Sequence, residues 1–113
     1  MVTPALVPGV VAWAELGPGV GREQSGRRPV VVVSTKLHLR AVDSLVTVVA
    51  CTSRDRAWDN HIALSGPTGL AQTTFAMTEQ VRTISRERIF ETSGYVDAPC
   101  LNSIVEWVKD WIE

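Results

Sequence analysis

Apolar positions along the chain form short β-like runs up to about residue 96 and a helical stripe beyond it. Residues 10–16 (VVAWAEL) alternate, which puts Val10, Ala12, Ala14 and Leu16 on the core side of an expected strand and Val11, Trp13 and Glu15 on the other. Residues 30–33 are four valines in a row, the mark of a strand buried on both faces, with Pro29 at its first position, where a missing N–H is tolerated. Residues 45–51 (LVTVVAC) predict another strand and 61–64 a brief one. Residues 73–77 and 79–83 predict two more with an irregularity between them, and 89–96 a last one interrupted by Gly94. Residues 36–42 are either one helical turn or a loop, and Ser85 caps a turn that Arg88 closes. The segment GPTG at 66–69 is a turn. The one long helix spans 97–111: Asp97 caps it and Pro99 sits in its first turn. Leu101, Ile104, Val105, Val108, Trp111 and Ile112 form its apolar face, with Trp107 outside the stripe. Six or seven short strands and a terminal helix make a mainly β fold, a small, strongly bent sheet or barrel whose edges invite dimerisation.

Residues 17–34 (GPGVGREQSGRRPVVVVS) organise the rest. Gly17, Pro18, Gly19, Gly21 and Gly26 exclude a helix. Glu23, Gln24, Arg27 and Arg28 are therefore expected on a loop beside a rigid strand, a usual place for chemistry.

The 113 residues suit one domain, 1–113, with residues 1–8, broken by Pro4 and Pro8, as an extended tail. A net charge of −1 gives no bulk signal of a nucleic-acid partner, but residues 91–113 set one basic residue against five acidic ones, which leaves the first 90 positive. Arg22, Arg27, Arg28, Arg54 and Arg56 form either a local positive patch or a set of solvated loop arginines. Cys51 and Cys100 lack metal-like or redox-like spacing and are expected to be reduced and structural. No run is long enough to span a membrane, and the N-terminus has no basic start before its apolar residues, so a cytoplasmic protein is expected.

Two scattered cysteines and two scattered histidines, with His38 expected at the surface, make no ligand set, and GPGVG lacks the helix and lysine of a nucleotide loop. Arginines and hydroxyls remain. Arg28 follows the loop, and Thr52 and Ser53 follow a core strand. A guanidinium forks onto two phosphate oxygens and keeps its charge, so an arginine beside a hydroxyl suits a phosphodiester. The competing reading pairs Arg28 with Glu23 or Glu79 and gives Thr52 a backbone bond at a strand end.

VAWAEL at 11–16, GREQSGRRPVVVVS at 21–34, VVACTS at 48–53 and EQVRTISRERI at 79–89 run in order over nearly the whole chain. In these pieces it resembles the MazF/PemK-type toxins of bacterial type II toxin–antitoxin systems, which are endoribonucleases. Where the family often has an RGD lead-in to its first strand, this chain has Pro8, Gly9 and Val10. The resemblance implies an SH3-like, CcdB/PemK-type β-barrel with a C-terminal helix, a homodimer, a MazE-like antitoxin partner, and cleavage of single-stranded RNA without metal or other cofactor. It carries the catalytic arginine onto Arg28 and the hydroxyl onto Thr52. Glu23 and Gln24 fall on its RNA-contacting loop. With Arg27, Ser53, Arg54, Arg56, Trp58 and Gln80 they are the expected RNA contacts, Trp58 by stacking. Two alternatives stand beside it: a CcdB-like gyrase poison, for which Trp107 and Trp111 supply the C-terminal tryptophans, and a non-catalytic barrel that binds RNA or peptide.

Overall fold

The computed structural model describes residues 5–21 and 24–112. Six strands form one sheet in the order β4-β5-β3-β2-β1-β6: β1 (Val10–Glu15), β2 (Arg27–Val32), β3 (Leu45–Thr52), β4 (His61–Ala63), β5 (Phe75–Ser85) and β6 (Ile89–Tyr95). Neighbouring strands are antiparallel throughout. Among the described residues no ladder joins β4 to β6, so the sheet is barrel-like as expected but not closed.

The sheet buries both faces. Val10, Ala12, Ala14, Leu16, Val30 and Val32 belong to a first core, which the short helix α1 (Lys36–Ala41) joins through Leu39. Val11, Val31, Val49 and Cys51 belong to a second core under the terminal helix α2 (Ala98–Ile112). Valines pointing alternately into the two cores explain why residues 30–32 are buried without exception. Val11, placed on the outer side by its alternation, is fully buried for the same reason: its face is covered by α2 and not by water.

Most strand bounds differ from expectation by one residue, and two differ by more. β2 begins at Arg27, two residues before Pro29, because Arg27 pairs with Glu15 and Arg28 with Ala14. Gly26 closes the neck, its N–H donating to Gly17 O and its carbonyl accepting from Leu16 N, both at 2.9 Å. Arg27 and Arg28 therefore lie on a strand and not on the loop. The second difference is that residues 75–85 form one strand where two were expected. The irregularity is a bulge: Val49 faces Val81 and Cys51 faces Ala76, so residues 77–80 leave the β3 ladder.

Thr35 caps α1, accepting from His38 N at 3.1 Å. His38 is half-buried, its Nδ1 bonded to Ser34 Oγ at 2.8 Å. Asp97 caps α2 as expected, Oδ1 accepting from Cys100 N at 2.9 Å. Cys100, Ile104 and Val108 are the buried residues of α2, whereas Trp111 and Ile112 are exposed because the last turn leaves the second core. Trp107 is half-buried and stacks on Trp111 at 6.1 Å. No described helix is long and apolar enough to cross a membrane.

Both cysteines are free and buried in the second core. Burial, and next the proximity of Cys100, push the Cys51 thiol far above its ordinary range. Neither thiol is therefore expected to take up a thiol reagent in the native protein at pH 8, and both are expected to react on denaturation. Rapid native labelling of Cys51 would contradict its placement.

Candidate functional site

The register between β2 and β3 assembles the site. Val30 faces Ala50, Val31 faces Val49 and Val32 faces Val48. Continuing the same offset two residues past Val30 puts Arg28 across from Thr52. Pro29, lacking an N–H, stands between them and the end of the ladder. Arg28 and Thr52 line one cavity of about 330 Å³ with Arg27, Ser53 and Trp13. Ala71, Gln72 and Thr74 supply another part of its lining.

Within this cavity Arg28 is half-buried, and its Nε donates to Ser25 O at 3.2 Å. That bond aims the guanidinium without neutralising it. The expected alternative, an ion pair with Glu79, is absent: Glu79 is bonded to Asn60 and His61. Glu23, the other partner, lies with Arg22 outside the described residues. Thr52 is buried, and its Oγ1 accepts from Arg54 N at 3.1 Å. That backbone bond is the one expected of a strand-end threonine, and it leaves the hydroxyl proton available to donate. Such a pair, a fixed cation opposite a hydroxyl donor, can bind a phosphodiester and stabilise added charge on it. Arg27 leans outward, its guanidinium 3.9 Å from the centre of the Phe90 ring.

The remaining expected residues gather elsewhere. Gln24, Arg56, Trp58 and Gln80 line a second, larger cavity of about 740 Å³ with Met77 and Glu79. The loop after β3 links the two cavities, running from Thr52 to Trp58. It is shaped by Asp55, whose Oδ1 accepts from Ala57 N at 2.8 Å, and by Ala57 in the left-handed region at φ +58°. Arg56 Nη1 donates to Met77 Sδ at 3.5 Å. Arg54 is exposed and lines neither cavity.

His61, Asn60 and Glu79 escaped the sequence reading as site residues. His61 Nε2 meets Glu79 Oε1 at 2.9 Å and Oε2 at 3.1 Å, and Asn60 Nδ2 donates to Oε1 at 2.7 Å. The only signal for this cluster is the pairing of His61 with Met77, which puts Glu79 one pleat further on.

Comparison with known proteins places the chain among relatives of the same fold. Residues 8–112 match the model of a family described as the PemK-like, MazF-like toxin of type II toxin–antitoxin systems. Endoribonuclease MazF9 of Mycobacterium tuberculosis is 33% identical over 107 residues, covering 89% of this chain and 91% of that protein. The crystal structure of MazF from Deinococcus radiodurans superposes with a TM-score of 0.81 at 22% identity, over 99% of this chain and 98% of the other. A mycobacterial endoribonuclease solved in complex with its cognate antitoxin has a TM-score of 0.76 at 19% identity, over 96% and 95% of the two chains.

Proposed function

The chain belongs to the PemK-like, MazF-like toxin family of type II toxin–antitoxin systems, and on that footing we propose that it is the endoribonuclease toxin of such a pair, cutting single-stranded RNA without a metal ion. The observation that carries the reading is the shared cavity of Arg28 and Thr52, built by the β2–β3 register.

In this reading the 2′-hydroxyl of the substrate attacks the adjacent phosphorus. The P–O5′ bond breaks as the 2′-hydroxyl loses its proton and the leaving 5′-oxygen takes one up, leaving a 2′,3′-cyclic phosphate and a 5′-hydroxyl. The nucleophile is part of the substrate, so the attack is intramolecular and carries little entropic cost. DNA lacks that hydroxyl and is spared. Arg28 stabilises the charge gathering on the phosphorane oxygens. A guanidinium keeps its charge and does not readily give up a proton, so its role is electrostatic. Thr52 hydrogen-bonds the scissile phosphate or the 2′-hydroxyl and gives up no proton. The second cavity, with Trp58 exposed on its wall, holds a neighbouring base.

The active form in this reading is a cytoplasmic homodimer held in check by an antitoxin; a mycobacterial endoribonuclease of the same fold is solved in complex with its cognate antitoxin. An acidic antitoxin segment suits the positive first 90 residues. The gyrase alternative is left with an exposed Trp111, whose Nε1 donates to Thr78 Oγ1 at 3.1 Å and whose ring stacks on Trp107, but the curated relatives are named endoribonucleases, which favours the nuclease reading.

The test is incubation of the purified protein with single-stranded RNA in EDTA, reading the fragment ends. Fragments with 2′,3′-cyclic phosphate and 5′-hydroxyl ends are expected. RNA left intact, or cleavage that vanishes in EDTA, would overturn the reading.

A further inference from the structure

The second cavity is built around a carboxylate that is aimed rather than merely exposed. Glu79 sits on the β5 bulge, which turns its side chain away from the β3 ladder and into the cavity. Oε1 is filled by Asn60 Nδ2 at 2.7 Å and His61 Nε2 at 2.9 Å. Among the described residues Oε2 takes only the longer arm of the His61 bond, at 3.1 Å. A carboxylate oxygen has about two lone-pair sites, so Oε2 keeps room for one more donor. The group is 27% exposed, and the histidine that holds it is 1% exposed. The same imidazole touches the Trp58 ring, centroids 4.7 Å apart and planes inclined at 47°. His61 thus fixes two walls of one cavity: an aromatic surface and a hydrogen-bond acceptor.

A flat group that stacks on Trp58 and offers an N–H at its edge fits both walls. Cytosine, adenine and guanine carry an exocyclic amino group. Uracil does not: its one edge N–H lies between two carbonyl oxygens, which a carboxylate repels. We propose that this cavity selects a nucleobase bearing an exocyclic amino group and rejects uracil, with Glu79 as the specificity-determining acceptor and His61 as the positioning residue. The inference rests on the endoribonuclease reading and adds the chemistry of one recognised base to it.

The test uses a pool of single-stranded RNA with a randomised stretch, cut by the wild-type protein and by variants, with the cut sites sequenced. One position of the wild-type motif is expected to disfavour uracil by ~10- to 100-fold, the worth of one hydrogen bond to a charged group. Glu79→Ala should shrink that bias to within ~3-fold while preferences at other positions hold. Glu79→Gln should invert it. The amide oxygen stays with Asn60 and His61, the NH₂ faces the base, and uracil's carbonyl becomes the better partner. His61→Phe keeps a ring against Trp58 but removes the N–H, and should relax the same position alone. A purely structural role would lower cleavage of all sequences equally and leave base choice unmoved. Identical base frequencies in the wild-type protein, Glu79→Ala and Glu79→Gln, with cutting intact, would overturn the base assignment and leave the nuclease reading standing. A pool left uncut by the wild-type protein would remove both.

Discussion

Arg28→Ala is expected to slow RNA cleavage by ~10²–10³, the usual loss when one charge-stabilising donor is removed from a transition state. The side chain is half-buried at the mouth of the β2–β3 pair. Its Nε is committed to Ser25 O, and its Nη groups make no hydrogen bond to any described residue. The variant should fold, since the backbone of Arg28 still pairs with Ala14 and the valine run beyond it is untouched. Arg28→Lys should recover part of the rate: it restores the charge but not the two-pronged geometry. Thr52→Ala should lose less, ~10-fold, because a neutral hydroxyl contributes one ordinary hydrogen bond. Thr52→Ser should return most of that. Initial rates on one oligonucleotide that the wild-type protein cuts, with thermal melting alongside, separate chemistry from stability. A folded Arg28→Ala protein that cuts at the wild-type rate would strip Arg28 of its role and leave the cavity as a binding feature.

What the chain discloses before folding depends on how local each feature is. The valine run at residues 30–33 and the capped helix beginning at Ala98 are local patterns, and both stand in the structure with small changes at their ends. Arg27 and Arg28 were harder. Flanking glycines and Pro29 mark them as loop, yet pairing with Glu15 and Ala14 draws them into the sheet, a tertiary contact overriding a turn signal. The burial of Val11 is equally non-local, since alternation reports a polar face only where nothing covers it, and α2 covers this one. Trp111 fails in the opposite sense: helical periodicity marks it as core, but its ring lies exposed and only its Nε1 reaches the sheet, at Thr78. Arg28 and Thr52 were legible as types because their chemistry suits a phosphate. Their meeting follows from an offset between strands that no local pattern encodes. The His61–Glu79 pair is eighteen residues apart and depends wholly on the β4–β5 register, with a bulge to turn the carboxylate outward.

Gly94→Ala and Gly69→Ala are each expected to cost ~2–3 kcal/mol of stability, the upper part of the range for forcing extra atoms into filled space. A Cβ on Gly94 would lie 2.1 Å from Pro67 O, and one on Gly69 would lie 2.1 Å from Ser93 O. Both obstacles are backbone, which cannot swing aside as a side-chain tip can. The two glycines let the turn at residues 66–69 sit directly on β6, where Val11 faces Gly94 and Ala12 faces Thr92. Tyr95 N donates to Pro67 O at 3.0 Å and Ser93 Oγ to Thr68 O at 2.8 Å, so the contact is bonded as well as tight. Gly69 carries a second penalty from its φ of +74°. Gly21 separates the two effects: its φ is +61°, but nothing among the described residues lies within 4 Å of a Cβ there, so Gly21→Ala should cost only ~1–2 kcal/mol, from backbone conformation alone. Urea titration reads these differences directly, and the Gly94→Ala melting temperature should fall on the order of 10 °C. The consequence reaches the site. The chain leaves this turn for Ala71, Gln72 and Thr74, which line the cavity of Arg28 and Thr52. Displacing the turn moves that part of the lining, so Gly94→Ala should also lose cleavage rate well below its melting temperature, whereas Gly21→Ala should not lose rate by this route. A Gly94→Ala protein within ~0.5 kcal/mol of the wild type, the scatter of neutral surface changes, would mean that the turn and β6 part freely and that the lining is not held from this side.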